Sequence, residues 1–317
     1  EWMNFSDSEK ENILQKFRLA FLTETTVNWC EELGTVLAND EVKDGFSERG
    51  GYPVIKRKMK QWALRITAYS NRLLEDLNKI DWPSSIKEIQ KNWIGKSTGA
   101  SIFFKIDEKD NASIEVYTTR PDTIFGVTFL VLSPEHPIIE EFIESKHVSA
   151  YVKECKQKTE IERKKSKLIT GVFSDMYALH PITNKKIPIW ISDYVLIDYG
   201  TGAIMAVPCG DQRDWSFANK FDLEIKNIFE GVDISKSSHE EKEIILKDSD
   251  FVNGLSSNEA SHKIVSFLES KKLGFSRINF KQRDAIFSRQ RYWGEPFPVY
   301  YEDDTPKIFP DNETPTL

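Results

Sequence analysis

Gly200-Thr201-Gly202-Ala203-Ile204-Met205-Ala206-Val207-Pro208, passing through Cys209 and Gly210 into Asp211-Gln212-Arg213-Asp214, reads as a buried strand that ends at a proline and turns into a helix. The two glycines permit close backbone approach, and Ala203 to Val207 form the apolar run. Asp211 and Asp214 then stand at helix N-terminal positions, where a carboxylate satisfies free amides and the positive end of the helix dipole. Two aspartates three residues apart share a helix face, so both cannot be caps of one amide. The end of this strand and the start of this helix therefore form a corner that carries carboxylates.

A second corner precedes it. In Tyr117-Thr118-Thr119-Arg120-Pro121-Asp122-Thr123 the proline pushes Arg120 toward an extended conformation. Thr118, Thr119 and Thr123 thus fall at a strand end and in the turn after it. Threonine hydroxyls donate and accept at once, which suits holding a water or an ester carbonyl. Ordinary strand-end and turn residues are the bland alternative.

Outward from these corners the middle of the chain is β-rich. Alternation or apolar runs predict strands at 102–106, 114–117, 124–132, 171–180, 186–191, 194–198 and 203–207. Helical stretches are expected at 136–147 and 148–158, with another at 257–272 stopped by Gly274 as a C-cap. Toward the N-terminus, Ser6 and Glu9 form a capping box ahead of Ile13, Leu14, Phe17 and Phe21. Residues 25–55, with Gly34, Gly45, Gly50, Gly51 and Pro53, read as a turn-rich insertion. A long amphipathic helix is expected next, with Trp62, Ile66, Tyr69, Leu73, Leu77 and Ile80 on one face and Pro83 near its end.

Composition shifts near Gly95-Lys96-Ser97-Thr98-Gly99 and near Lys281 to Asp284. The fold class expected is α/β in the α+β sense: a β-barrel-like domain with peripheral helices at 94–283, inserted through two linkers into another domain. The pieces of that other domain are 1–93 and 284–317.

The chain has 317 residues, enough for two domains, and a formal charge of −7 that argues against indiscriminate coating of nucleic acid. Two basic clusters remain: one from Lys153 to Lys167, interleaved with Glu154, Glu160 and Glu162, and a second of Arg277, Lys281, Arg283, Arg289 and Arg291. The 3 cysteines, Cys30, Cys155 and Cys209, fit a reducing compartment and cannot by themselves make a zinc site. No apolar run is long enough to span a bilayer, and the expectation is a cytoplasmic monomer without membrane contact.

Taken together, YTTRPDTIFG and GTGAIMAVPxxDQRD resemble the editing domain of the leucyl-tRNA synthetase family, an insertion in a class I, Rossmann-type catalytic domain. The flanks agree: Gln90 to Ser97 resembles the incoming linker and Ser288 to Pro296 the return, while Val27 to Cys30 and Gly34 to Asn39 resemble the segment upstream. Isoleucyl and valyl relatives typically carry Thr-Thr-Thr-Pro-Trp-Thr where this chain has Thr118 to Thr123.

The resemblance implies hydrolysis of mischarged tRNA(Leu) by a positioned water. Asp214 would pair with the α-ammonium group, and Thr119 would position ester and water. Thr123 would narrow the pocket, with Thr118, Tyr199, Met205 and Val207 lining it. Arg120 would meet the terminal adenosine or its phosphate, and Asp211 would assist. The implied partners are the tRNA(Leu) 3′ end and an aminoacyl-adenosine. Editing would need no cofactor, whereas ATP and magnesium belong to the parent ligase, whose signature motifs are not in this sequence.

Two departures stand out. Gly210 occupies the place of a histidine common in the family, and Leu33, Ser47 and Gly50 replace three of the four cysteines that many bacterial members carry, leaving Cys30. One thiol cannot hold a structural zinc, so no metal is expected there. Two rival readings remain: a 3′-end binding module without hydrolysis, and a Cys209 nucleophile.

Overall fold

The computed structural model describes residues 2–107, 112–141, 145–157, 163, 168–197, 200–241, 243–287, 298–302 and 305–313. The chain divides into two compact units, Lys96–Asn279 and Glu1–Gly95 with Phe280–Leu317.

The central unit is built on a 7-stranded sheet. Its strands are β1 (Lys96–Ile106), β2 (Ser113–Thr118), β3 (Phe129–Leu132), β4 (Val172–Leu179), β5 (Lys186–Ile191), β6 (Ala203–Ala206) and β7 (Gly274–Phe280). Their order is β6-β3-β5-β4-β1-β7, with β2 also paired to the long β1. The β3/β5 pair is parallel, while β6/β3, β5/β4, β1/β4 and β1/β2 are antiparallel. The expected mixed α/β architecture is thus present. Among the described residues the sheet does not close into a barrel: β2 and the turn ahead of β6 are tied by the Thr201 hydroxyl donating to the Glu115 carbonyl at 2.5 Å, not by a ladder.

Side chains on β3 alternate between two cores, as period-two geometry requires. Leu130 and Leu132 join Ile102, Phe104, Met205 and Val207 in the larger one. Phe129 and Val131 face the other way and pack with Phe217, Ala218 and Val195. That smaller core docks helix α2 (Gln212–Lys220) through Phe217, whose ring stacks on Phe129 at 5.3 Å and meets Trp190 edge-on at 5.5 Å. Burying such a ring is worth roughly 1.5–3 kcal/mol, enough to fix where the helix starts. Helix α1 (Lys146–Gln157) and helix α3 (Ser257–Ser270) complete the unit, the latter opened by a Ser256/Glu259 capping box.

Several expected elements are corrected. Residues 124–132 are not one strand, because Pro121–Gly126 form a 3-10 turn and only Phe129–Leu132 pair. Tyr194 to Ile197 form turns, not a strand. Helix α3 is capped at Lys271, and Lys272 takes the left-handed conformation at φ 57°. Gly274 instead opens β7, where a Cβ would stand 2.4 Å from the Ser101 carbonyl oxygen. The region 136–147 holds a short 3-10 turn, Pro137–Glu141, ahead of α1.

The terminal unit carries a 4-stranded antiparallel sheet in which Ala20–Cys30 pairs along its length with Ile55–Leu64. Trp62 therefore lies on a strand, and the long helix expected from 62 to 80 is replaced by that strand, a short helix Ser70–Asp76 and a separate helix Ser84–Ile94. Pairing with a strand that carries three threonines and a valine overrode a spacing that matched the helical period. The helix expected near the start of the chain does form, over Asp7–Gln15, with its capping box. No parallel Rossmann-type sheet occurs among the described residues of this unit. Its turn-rich insertion is held by Ser47, which is 3% exposed, donates to the Arg49 carbonyl at 2.8 Å and accepts from the Tyr52 amide at 2.9 Å. Among the described residues no group of three or more His, Cys, Asp or Glu could hold a metal ion, and no helix is long and apolar enough to cross a membrane.

Candidate functional site

The threonine corner begins where β2 ends. Thr118 Oγ1 accepts from the Arg120 amide at 3.0 Å, which turns the chain out of the strand. Thr119 at the apex is exposed, and its hydroxyl has no protein partner among the described residues. The Arg120 guanidinium grips Asp122 through Nε at 3.1 Å and Nη2 at 2.8 Å, while Asp122 itself is 1% exposed. Thr123 is buried and its hydroxyl donates to the Arg120 carbonyl at 2.8 Å, locking the 3-10 turn that proline started.

The acidic corner is built as its spacing predicts. Asp211 caps helix α2, its Oδ1 accepting from the amides of Arg213 at 2.8 Å and Asp214 at 3.1 Å. Asp214 is turned inward: Oδ2 accepts from the Val207 amide at 2.8 Å and Oδ1 from the Tyr194 hydroxyl at 3.0 Å. Burial, and then the charge of Asp211, push the Asp214 carboxyl up to about 7. Such a group is poised to gain from a cation brought beside it.

The corners adjoin. A Cβ built on Gly126, at the end of the threonine turn, would stand 3.2 Å from both Val207 Cγ1 and Cys209 Sγ. Thr128 donates its amide to the Ala206 carbonyl at 3.2 Å, so the chain leaving the turn pairs with the strand leading to Asp214. Met205 and Val207 are both buried on the larger core. Tyr199 lies outside the described residues.

Cys209 is fully buried, and burial pushes its thiol up to about 11, the opposite of what an activated nucleophile needs. For any ester hydrolysis at this site, Cys209→Ala should leave the rate within about twofold of that of the unsubstituted chain; a loss of a hundredfold or more in a deacylation assay would restore the thiol as nucleophile.

Arg163 of the first basic cluster is buried against Glu135 and the Cys155 carbonyl, so it is structural. Lys158, Lys164, Lys165 and Lys167 of that cluster, and Arg289 and Arg291 of the second, lie outside the described residues. Arg277 pairs with Glu115 at 2.8 Å. A cleft of about 750 Å³ lined by Glu230, Glu241 and Glu243 opens near the start of helix α3; neither Thr119 nor Asp214 lines it, and its charge opposes a phosphate backbone.

Sequence reasoning missed Tyr194, the partner of Asp214, because no spacing rule links a turn tyrosine to a carboxylate 20 residues on. It also missed His239, whose amide donates to the Cys209 carbonyl at 2.8 Å and whose ring lies 5.8 Å from that of Phe229, beside the bend that contains Gly210.

Residues 91–269 match the family model described as leucyl-tRNA synthetase, editing domain. The chain is 54% identical over 320 residues to a leucine-tRNA ligase of Christiangramia forsetii, covering 99% of this chain and 33% of that protein. It is 52% identical over 327 residues to a leucine-tRNA ligase of Flavobacterium johnsoniae, covering 100% of this chain and 34% of the relative. Among solved structures, the LeuRS of a ternary complex of Agrobacterium radiobacter agnB2 LeuRS, tRNA and LeuAMS superposes with a TM-score of 0.76 at 31% identity, covering 96% of this chain and 36% of that one. The chain spans about a third of the length of these relatives. With this sequence match lying over the two adjoining corners, the chain belongs to the leucyl-tRNA synthetase family and contains its editing domain.

Proposed function

We propose that the central unit hydrolyses the ester of tRNA(Leu) mischarged with norvaline, isoleucine or a similar amino acid, within a protein whose whole chain ligates leucine to tRNA(Leu) with ATP. The observation that carries this reading is the inward-turned Asp214, a buried carboxylate at the junction of two polar corners. Its burial favours the charged form only when a cation compensates it, and the α-ammonium of an aminoacyl ester supplies that cation.

An aminoacyl ester is already reactive, so orientation and carbonyl polarisation suffice for rate. In this reading Asp214 fixes the ammonium, and the uncommitted Thr119 hydroxyl holds the ester carbonyl or the attacking water. Arg120, anchored on Asp122 through Nε and Nη2, keeps Nη1 for the terminal adenosine or its phosphate. Met205, Val207 and Thr123 shape an apolar wall, and Asp211 acts on Asp214 through its charge. Leucine and its near analogues differ by about 1–3 kcal/mol in an apolar pocket, which is why a second, hydrolytic sieve is useful; this enzyme class is the general example of that logic.

The test is deacylation of norvalyl- and isoleucyl-tRNA(Leu) by a leucine-tRNA ligase carrying this chain, with leucyl-tRNA(Leu) as control. Hydrolysis of the first two with the third spared supports the reading. Tight binding of tRNA ends without hydrolysis would turn it into a binding module.

The N-cap offers a separate check. Asp211→Ala removes the oxygen that caps two amides and should lower stability by about 0.5–2 kcal/mol in a urea melt. It should also lower the titration point of Asp214, since a neighbouring negative charge is removed; an unmoved titration would show that Asp211 does not act on Asp214.

A further inference from the structure

The 3-10 turn Pro121–Gly126 is held from outside by two side chains that the editing reading leaves without a role. His180, at the end of β4 and 3% exposed, places Nε2 at 2.9 Å from the Ile124 carbonyl. Its Nδ1 accepts from the amides of Ile182 and Thr183, both at 3.2 Å, which fixes the proton on Nε2 and makes that nitrogen the donor. The ring also lies against Phe125 at 6.1 Å in a stacked arrangement and meets Phe104 edge-on at 6.4 Å. On the next residue of the turn, Lys226 Nζ donates to the Phe125 carbonyl at 2.9 Å and to the Asp248 carbonyl at 3.0 Å. Among the described residues no carboxylate pairs with Lys226. A half-buried ammonium spent on two carbonyls is an expensive way to satisfy a turn, and it fixes the geometry of that turn closely.

Consecutive carbonyls, Ile124 and Phe125, are therefore held by side chains from two different segments, one residue beyond Thr123. We propose that His180 and Lys226 are positioning residues for the size-discriminating turn, holding its backbone so that Thr123 excludes leucine, branched at Cγ, while side chains without that branch enter. The inference rests on the editing reading and goes beyond it by assigning specificity to residues that do not touch the substrate. A displacement of the turn by a fraction of an ångström changes a steric sieve far more than it changes the anchoring of an ammonium at Asp214.

The experiment uses a full-length leucine-tRNA ligase carrying this chain, with His180→Ala and Lys226→Met compared against His180→Gln and Lys226→Arg, which keep a donor. Initial rates are measured on norvalyl-tRNA(Leu) and leucyl-tRNA(Leu), with thermal melts alongside. The expected result is a rise of about tenfold in the leucyl-to-norvalyl rate ratio for the Ala and Met variants, an effect of the size a methyl group has in such a pocket. The Gln and Arg variants should return the ratio toward that of the parent. Should His180→Ala unfold, the less buried Lys226→Met reads the same ratio. A ratio within twofold of the parent, with both rates intact or falling in parallel, would overturn the inference and leave the two residues merely structural. Absence of norvalyl hydrolysis in the unsubstituted enzyme would reject the editing reading itself, and this inference with it.

Discussion

Asp214→Asn should reduce deacylation of norvalyl-tRNA(Leu) by roughly 100- to 10,000-fold while making the protein more stable at alkaline pH. The loss follows from leaving the substrate ammonium buried without its counter-charge, which costs about 3–5 kcal/mol, each 1.36 kcal/mol being tenfold in rate. The gain in stability follows from the same burial. The Asp214 carboxyl is held up to about 7 against an ordinary 3.8, so the folded state binds its proton more tightly than the unfolded chain does. Its contribution is therefore fully present below the unfolded value and is lost as pH rises through about 7. An amide at this position retains an acceptor for the Val207 amide and can donate to the Tyr194 oxygen, yet never ionises. The stability gain over the parent should be about 2–3 kcal/mol larger at pH 8 than at pH 5, read from urea melts at the two values. A variant that is no more stable at pH 8 than at pH 5, relative to the parent, would mean that Asp214 is not held in its neutral form.

The same titration shapes the kinetics. If the ionised carboxylate is the form that pairs with substrate, kcat/KM rises with pH through about 7. It then falls as the substrate's own ammonium loses its proton at around 7.7–8.0. A profile flat from pH 5.5 to 7.5 would contradict ammonium pairing at Asp214.

The second large effect is expected at Thr123. Thr123→Ala should raise hydrolysis of correctly charged leucyl-tRNA(Leu) by roughly 10- to 200-fold relative to norvalyl-tRNA(Leu), the range a missing methyl commands in an apolar pocket. The substitution also removes the donor to the Arg120 carbonyl, so a control is needed. Thr123→Val keeps the volume but loses that hydrogen bond; it should spare leucyl-tRNA while losing about 1–3 kcal/mol of stability. If Val and Ala relax discrimination equally, the hydrogen bond and not the steric bulk sets the sieve.

How much of this was legible in the sequence differs between the two corners. The acidic corner could be read nearly to the residue, because a short apolar strand, a proline and an aspartate cap are local signals that the structure obeys: Ala203–Ala206 is the strand and Asp211 the N-cap. The threonine corner was legible in position but not in shape. The apolar run from Ile124 to Leu132 reads as one strand, yet Pro121 and the Thr123 hydroxyl fold its first three residues into a 3-10 turn, Pro121–Gly126. Partners distant in sequence could not be read at all. Tyr194 under Asp214, and His180 and Lys226 beneath the turn, are brought in by sheet topology and by the docking of helix α2, which no local pattern encodes. The misread helix around Trp62 has the same origin, since the strand Ile55–Leu64 is decided by its partner Ala20–Cys30.

Under the proposed function, an acidic chain can still act on a nucleic acid end. Recognition of an aminoacyl terminus rests on one ammonium, one ester and one sugar, not on a coated phosphate backbone. A net charge of −7 is then no obstacle, because the binding element that matters is an anion directed at a cation.

The most direct measurement is a crystal structure of the chain with a non-hydrolysable norvalyl-adenosine analogue. The ammonium is expected within hydrogen-bond reach of Asp214, the Thr119 hydroxyl beside the ester position, and the norvaline side chain against Met205, Val207 and Thr123. An analogue seated elsewhere, with Asp214 still bonded only to Tyr194 and the Val207 amide, would contradict this placement.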